Sequence, residues 1–167
     1  KIPVNFIFLS SRKVYKPKYN LKEFSKLQPI DRDARNKVIV EKKLKKKLKS
    51  KLLILRISNV IGFKKNDKNR RVHKTFFDNY LEAIKKNKKI KFYNLYKDFI
   101  SIKQLSKIFD LILKKKLNGT YNVSLGEKIY VKEIINWLNS SNRNKKSFIC
   151  IKKNKVFFNK HSFFLNN

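Results

Sequence analysis

Hydrophobic residues follow two different patterns along the chain, and together they predict strands that alternate with helices. Short continuous apolar runs at residues 4–9 and 51–58 are typical of buried strands in a parallel sheet. Between them, Asp31 is expected to open a helix that runs to about Lys49. One side of this helix carries its apolar positions Val38, Ile39, Leu44 and Leu48. A strand, a helix and a second strand form a crossover unit, which predicts an α/β fold with a parallel sheet.

The remaining segments continue this alternation. Residues 12–30 and 63–71 are predicted loops, residues 72–87, 103–116 and 131–138 are predicted helices, and residues 140–146 resemble a linker. Strands are predicted at 90–93, 98–102, 120–124, 147–151 and 156–158. The inward positions of the helix at 103–116 are Leu105, Ile108, Phe109, Ile112 and Leu113. Gly119 is expected to end that helix, and Trp137 is assigned to the core.

Composition narrows the class of protein. The 167 residues suggest about one domain, and 41% hydrophobic residues are enough for a core. No run of about 18 apolar residues exists, so no membrane span is predicted. One cysteine, Cys150, excludes an internal disulfide framework, and His73 and His161 form no metal-ligand pattern.

The net charge of +33 has two interpretations. Lysines neutralise phosphates, which favours a nucleic-acid-associated domain or non-specific binding of polyanions. However, Lys, Asn, Ile, Phe and Tyr, which have A/T-rich codons, account for 95 of the 167 residues. The codon bias of an A/T-rich genome would give an ordinary enzyme this amino-acid composition. Lysine runs at helix ends are expected to form solvated faces.

Two motifs in the first half carry a resemblance to a known family. The segment from Phe6 to Tyr15 reads as a strand, Ser10-Ser11, two variable residues and Val-Tyr. The predicted helix carries Lys37 with Glu41 four residues later. Both resemble the extended short-chain dehydrogenase/reductase family, which comprises NAD-dependent sugar-nucleotide epimerases, dehydratases and reductases. In that family the helix has a Tyr-x-x-x-Lys motif, and here Asp33 stands at the tyrosine position.

Three further motifs follow in the family's order. Residues 56–62 resemble its Arg-x-x-Asn-Val-x-Gly segment, and residues 97–100 resemble an Arg-Asp-Phe motif with Lys97 in place of the arginine. Residues 119–127 resemble its Tyr-Asn element and the glycine that follows. The resemblance therefore covers residues 4 to 138. It implies the C-terminal half of a Rossmann-type domain over residues 1–62 and a smaller α/β substrate-binding part over 63–167, with 96–118 packing back on the first part.

One family feature is missing from the chain. Gly62, Gly119 and Gly126 are its only glycines, so it has no glycine-rich fingerprint for the cofactor pyrophosphate. This leads to the expectation of a fragment that lacks the start of the family domain. The resemblance implies NAD or NADP as cofactor, a nucleotide-sugar substrate from cell-envelope polysaccharide synthesis, a cytoplasmic location and a homodimer of the intact protein.

The resemblance also assigns roles to individual residues. It implies that Ser11 and Lys37 are catalytic, that Ser10 and Lys37 bind the cofactor, and that Asn59, Lys97 and Arg56 bind the substrate. From the residues alone, Ser11 could instead be a strand-end hydroxyl that satisfies backbone groups, and Asn59 a turn residue. His73 is expected on a helix surface, and Cys150 is expected to behave as a small hydrophobic residue.

Asp33 weakens the catalytic prediction. In the family, a tyrosine phenol exchanges a proton with the sugar, and the lysine ammonium lowers the pKa of that phenol. Aspartic acid is several ångströms shorter and has a reference pKa of about 3.9. The sequence therefore predicts an ordinary Asp33–Lys37 pair on the helix surface and no normal family catalysis. A non-catalytic protein that still binds a nucleotide-sugar is the alternative.

Overall fold

The computed structural model describes residues 6–18, 20–62, 76–86, 88, 90–140 and 148–150. Its helices are α1 (Arg32–Leu48), α2 (Phe76–Lys85), α3 (Ile102–Lys115) and α4 (Val131–Ser140). Its strands are β1 (Phe6–Ser11), β2 (Leu52–Ile57), β3 (Asn59–Ile61), β4 (Ile90–Phe92), β5 (Tyr96–Lys97), β6 (Phe99–Ser101), β7 (Gly119–Val123), β8 (Ile129–Tyr130) and β9 (Phe148–Cys150). The predicted α/β alternation is thus present, and single 3₁₀ turns lie at Arg12–Val14 and Lys49–Lys51.

The main sheet has the order β1-β2-β7, and all three strands are parallel. Leu55 at the centre of β2 pairs with Leu9 on one side and Tyr121 on the other. The predicted crossover unit of strand, helix and strand is therefore confirmed as β1-α1-β2. Because the strands are parallel, their carboxyl ends share one edge of the sheet.

Short strand pairs extend the fold beyond the main sheet. β3 pairs with β6 and β4 with β9 in parallel, while β5 and β8 are antiparallel. The sequence did not predict β3, β5 or β8, which are two or three residues long and lie outside any longer apolar run.

Helix α1 begins where the sequence predicts, because the Asp31 side chain caps it. Asp31 Oδ1 accepts a hydrogen bond from the Ala34 backbone N at 2.8 Å. Val38 is buried, but Ile39 is 50% exposed, so the predicted apolar side is wrong at that position. Positions 38 and 39 lie about 100° apart on a helix, and only one of them can face the sheet fully.

Helix α3 covers the other face of the main sheet. Leu105 and Ile112 are buried in a cluster with Leu53, Leu55 and Val123, whereas Leu113 is 64% exposed, against the prediction that it points inward. The end of this helix also differs from the prediction. Lys116, with φ 49°, takes the left-handed conformation there, and Gly119 is already the first residue of β7.

Trp137 is 62% exposed on α4, so its assignment to the core is wrong. The buried face of α4 consists of Val131 and Ile135, which pack with Phe92 of β4. Apolar periodicity predicted the helix correctly, but Val131 and Ile135, which are smaller than Trp137, form its buried face.

Some predictions fall outside the residues that the structure describes. These are the loop at 63–71, the start of the helix predicted at 72–87, which includes His73, the linker-like segment at 140–146 beyond residue 140, the strand at 156–158 and the Cys150 side chain. The division at residue 62 stays a prediction, although α3 packs on the main sheet and β7 is one of its strands. No helix in the described ranges has the length and hydrophobicity needed to cross a membrane.

Candidate functional site

The candidate residues gather at the carboxyl edge of the main sheet. β1 ends at Ser11 and β2 at Ile57, and β3 begins two residues later at Asn59. Open α/β sheets bind their ligands outside this edge, because loops and helix starts converge there. Glycine is required at the end of β3, since a Cβ at Gly62 would collide with the Ile102 side chain at the start of α3.

Ser11 closes β1 and opens the following turn. Its Oγ accepts a hydrogen bond from the Lys13 backbone N at 3.2 Å, and the residue is half-buried. The hydroxyl proton is not used in this contact. Ser11 therefore caps a 3₁₀ turn, as the alternative to the catalytic prediction expects, and its hydroxyl still has a proton to donate.

Ser10 faces the opposite side of β1 and belongs to a buried polar cluster. Its hydroxyl donates to Glu41 Oε1 of α1 at 2.5 Å. The same carboxylate receives two hydrogen bonds from Arg56 of β2, Nε to Oε1 at 3.1 Å and Nη2 to Oε2 at 2.6 Å. Such a bidentate pair fixes both side chains, so Ser10, Glu41 and Arg56 bind α1 to two strands of the sheet.

The cluster continues into the segment that follows β1. Arg56 Nη1 donates to the Tyr15 hydroxyl at 2.7 Å and to the Glu23 carbonyl at 2.9 Å. The Tyr15 hydroxyl in turn donates to Asn122 Oδ1 of β7 at 2.8 Å. This buried network, formed by Ser10, Glu41, Arg56, Tyr15 and Asn122, holds Tyr15 and Glu23 against the carboxyl half of the sheet.

Electrostatics agree with a structural role for this network. Burial raises the pKa of the Tyr15 phenol, although the neighbouring Arg56 opposes the rise. Burial also disfavours the charged guanidinium of Arg56, but the hydrogen bonds to Glu41 and Tyr15 outweigh it, so its pKa lies above the ordinary value. The guanidinium is thus a permanent cation inside the protein, and its hydrogen bonds are made to Glu41, Tyr15 and the Glu23 carbonyl.

Lys37 lies one α-helical turn after Asp33, and its ammonium bonds to the sheet. Nζ donates to the Leu9 carbonyl at 2.8 Å and lies 5.3 Å from the centre of the Phe8 ring. Asp33 is exposed, and within the part of the chain that the structure describes it forms no ion pair with Lys37. The predicted surface pair is therefore wrong, because the β1 carbonyl takes the ammonium instead.

Asn59 lies in β3 rather than in a turn, and its carboxamide is held on two sides. Oδ1 accepts from Arg12 Nη2 at 2.8 Å, and Nδ2 donates to the Asp98 carbonyl at 2.7 Å. Arg12 is 7% exposed, and burial lowers its pKa to about 10, although the charges of Asp98 and Asp31 oppose this. The sequence analysis missed Arg12, since one arginine among seven carries no local signal.

Lys97 lies near this group of polar residues. Burial, together with the positive charges of Arg12 and Lys13, lowers its pKa to about 8. Repulsion between Arg12 and Lys97 favours an anion beside them, although the charges of Asp98 and Asp31 already offset part of the Arg12 charge. The described ranges contain no cluster of His, Cys, Asp and Glu side chains that could hold a metal ion.

Comparison with known proteins identifies the class. The family model for the NAD dependent epimerase/dehydratase family matches residues 1–124. The chain therefore belongs to that family, as its motifs predict. A search of curated proteins gives no match.

Solved structures show the same fold. The UDP-N-acetylglucosamine 4-epimerase of Methanobrevibacter ruminantium M1, in complex with UDP-N-acetylmuramic acid, is 25% identical, with a TM-score of 0.74 over 95% of this chain and 53% of that one. The UDP-glucose 4-epimerase of Thermus thermophilus, in complex with NAD, is 18% identical, with a TM-score of 0.77 over 96% of this chain and 54% of that one.

A third structure extends the comparison to another reaction. The dTDP-4-dehydrorhamnose reductase of Yersinia enterocolitica is 21% identical, with a TM-score of 0.73 over 95% of this chain and 55% of that one. The chain spans about half the length of these proteins. The Rossmann-type fold class is thus confirmed.

Proposed function

We propose that this chain supplies the nucleotide-sugar-binding part of an NAD-dependent epimerase, dehydratase or reductase. The observation that carries the proposal is the group of Arg12, Asn59 and Lys97 at the carboxyl edge of a parallel sheet. It combines two cations and an amide, which are suited to the diphosphate of a nucleotide-sugar.

Within this proposal, Asn59 and Lys97 bind substrate, and Ser11 and Lys37 keep their family positions beside it. Arg56 and Ser10 are not assigned to ligands, since both use their polar atoms inside the buried network. They act by holding the strands, Tyr15 and Glu23 in place.

Binding without the family's proton transfer is the second candidate. It is favoured by Asp33, which is exposed at the tyrosine position and makes no contact with the Lys37 ammonium. A carboxylate on a shorter side chain, with a reference pKa of about 3.9, does not act as the same acid or base as a phenol. We therefore expect ligand binding and no epimerase, dehydratase or reductase turnover from this chain.

The cofactor is implied by the family rather than by these residues. A dinucleotide pyrophosphate is normally held by backbone amides of a glycine-rich turn, and the chain has three glycines, none in such a pattern. Ser10 bonds to Glu41, and Lys37 to the Leu9 carbonyl, so neither contact points to a cofactor. The residues present do not by themselves fit NAD, and we assign no reaction step to it.

The location, substrate pathway and assembly of the protein are also proposed from the family resemblance. A cytoplasmic location, substrates from cell-envelope polysaccharide synthesis and a homodimer of the intact protein are carried forward from the family resemblance. Non-specific binding of polyanions is supported by the exposed lysines at the ends of α1 and α3, among them Lys46, Lys47 and Lys115.

Titration with UDP-N-acetylglucosamine at different pH values tests the proposed function. The Lys97 pKa of about 8 means that this ammonium is mostly charged at pH 7 and mostly neutral at pH 9. Calorimetry should show an affinity about tenfold weaker at pH 9, because the anion loses a cationic partner. The variant Lys97→Arg stays charged, so its affinity should change less than about twofold over the same range.

Two results would contradict the proposal. One is the absence of binding of any nucleotide-sugar to the folded protein at pH 7. The other is an equal pH dependence in Lys97→Arg and the unmodified chain, which would move the binding site away from Lys97. NAD is added in parallel, and tight binding of NAD by this chain would contradict our reading that its residues do not fit the cofactor.

A further inference from the structure

Arg12 lies at one of the two variable positions between Ser11 and Val14. It opens the 3₁₀ turn after β1, and its guanidinium is buried against β3 rather than extended into solvent. The contact from its Nη2 to Asn59 Oδ1 is 2.8 Å long and joins residues 47 positions apart. Burial of a guanidinium costs free energy unless hydrogen bonds and opposite charges compensate it, and here Asn59 and the charges of Asp98 and Asp31 do so.

The two partners of Asn59 determine the orientation of its carboxamide. A guanidinium only donates hydrogen bonds, so the atom that faces Arg12 must be the amide oxygen. A backbone carbonyl only accepts, so the atom that faces the Asp98 carbonyl must be the amide nitrogen. The orientation therefore follows from the chemistry of the partners and does not depend on seeing hydrogens.

This orientation leaves Asn59 with a defined capacity for ligands. Its Nδ2 carries two hydrogens, and the Asp98 carbonyl uses one of them, so one N–H remains among the described contacts. Its Oδ1 lies against the buried guanidinium, where an additional donor from a ligand would meet a cation. The side chain thus presents a donor and favours ligand groups that accept.

The cations near Asn59 also favour a ligand that carries negative charge. Lys97 adds positive charge near Arg12, whereas the exposed Lys13 is paired with Asp31 at 3.2 Å. The lowered pKa of Lys97 reflects burial first and then repulsion from Arg12 and Lys13, while the charges of Asp98 and Asp31 oppose the lowering of the Arg12 pKa. An anion beside Arg12 and Lys97 would relieve the repulsion between these two cations, whereas a neutral hydroxyl would not. Donors and cations together describe a subsite for an acceptor-only anion.

We propose that Arg12 is a positioning and specificity-determining residue, which holds Asn59 with an N–H available and thereby selects a diphosphate over neutral sugar hydroxyls. This inference rests on the proposed function and adds to it a residue at a position that the family motif leaves variable.

Calorimetric titration with inorganic pyrophosphate and with UDP-N-acetylglucosamine tests the role of Arg12 in the full chain. In Arg12→Leu, affinity for both ligands should fall by about tenfold or more, because Asn59 is released and one charge is lost. Lys13→Leu is the matched control, since it removes a neighbouring exposed charge without touching Asn59. Its affinity should fall by less than about threefold.

A second readout separates positioning from general destabilisation. In Arg12→Lys, one donor to Asn59 remains but the planar fork is lost, so affinity should fall by about threefold, between the other variants. The side-chain amide signals of Asn59 in a ¹⁵N–¹H spectrum should move in both Arg12 variants and stay in place in Lys13→Leu.

The outcomes distinguish this inference from the proposed function. If UDP-N-acetylglucosamine binds equally well to the unmodified chain and Arg12→Leu, the inference is wrong and the proposed function stands. If neither ligand binds the unmodified chain, both fail. If Arg12→Leu does not fold, Arg12→Lys decides, and an unchanged affinity for pyrophosphate together with unmoved Asn59 signals overturns the inference.

Discussion

The two faces of the central strand β2 are built from different chemistry. On one face, Leu53 and Leu55 pack with residues of α3 in an entirely apolar cluster. On the other face, Arg56 forms a buried ion pair with Glu41 of α1 and extends it to Tyr15. A single strand of six residues thus connects an apolar layer with a polar one.

The difference shows that the faces have separate tasks. Apolar burial has no preferred direction, so the α3 side stabilises the sheet without fixing the position of any polar group. Hydrogen bonds are directional, so the α1 side fixes Ser10, Tyr15, Glu23 and the end of β1 relative to one another. The polar face therefore determines the geometry of the candidate site, and the predictions below test this division.

Removal of Glu41 should have the largest effect. The variant Glu41→Ala leaves the Arg56 guanidinium buried without its carboxylate, which should lower the free energy of unfolding by about 3–5 kcal/mol. Urea denaturation with linear extrapolation measures the change. A loss below about 1 kcal/mol would show that the network does not stabilise this face.

Two further variants control that measurement. Glu82→Ala removes the acid of an exposed ion pair with Lys86, also 2.6 Å long, and should change stability by less than about 0.5 kcal/mol. Replacing both buried partners, in Glu41→Leu with Arg56→Met, should restore much of the lost stability, because no uncompensated charge remains. Nucleotide-sugar affinity should stay low in this double variant, since the directional contacts are absent.

Truncation of a side chain on the apolar face should destabilise the protein without lowering its affinity for the nucleotide-sugar. Leu55→Ala opens a cavity among Leu105, Ile112 and Val123 and should lower the free energy of unfolding by about 2–5 kcal/mol. At a temperature where the variant remains folded, its affinity for UDP-N-acetylglucosamine should match that of the unmodified chain. An equal loss of affinity in Leu55→Ala and Glu41→Ala would remove the proposed distinction between the faces.

The same contrast explains which parts of the fold could be predicted from sequence. The strands β1 and β2 and the helix α1 follow from local periodicity and from the Asp31 cap, so their bounds are within two residues of the prediction where the structure describes them. The exposure of Leu113 and Trp137 could not be predicted in this way. It depends on which neighbour covers each helix, and this is a property of tertiary packing rather than of spacing.

The candidate site shows a similar limit. Family motifs located Asn59 and Lys97 without any knowledge of their contacts. The partner of Asn59 is Arg12, and that of the Lys37 ammonium is the Leu9 carbonyl. Sequence reasoning paired Lys37 with Asp33 because the i, i+4 spacing is visible in one dimension. A backbone acceptor on a neighbouring strand is visible only after folding.

Loss of the Ser10 hydroxyl should have an intermediate effect on the polar face. Ser10→Ala removes the hydrogen bond to the ionised Glu41, so the free energy of unfolding should fall by about 1.5–3 kcal/mol. Ser11→Ala, one residue later on the opposite face of β1, is the matched control. It loses a neutral contact with the Lys13 amide and should cost about 0.5–1.5 kcal/mol. Equal losses in thermal or urea denaturation would contradict the special weight given to Glu41.

The smallest expected effect concerns Asp33 and Lys37, which have the same i, i+4 spacing as the ion pair of Glu82 and Lys86. A double-mutant cycle of Asp33→Asn and Lys37→Met should give almost no coupling energy, because the ammonium bonds to Leu9. The same cycle for Glu82→Gln and Lys86→Met should give about 0.3–0.5 kcal/mol, as expected of an exposed i, i+4 pair. If both cycles gave the same coupling, Lys37 would have to reach Asp33 in solution. The carboxylate at the family's tyrosine position would then interact with the lysine after all.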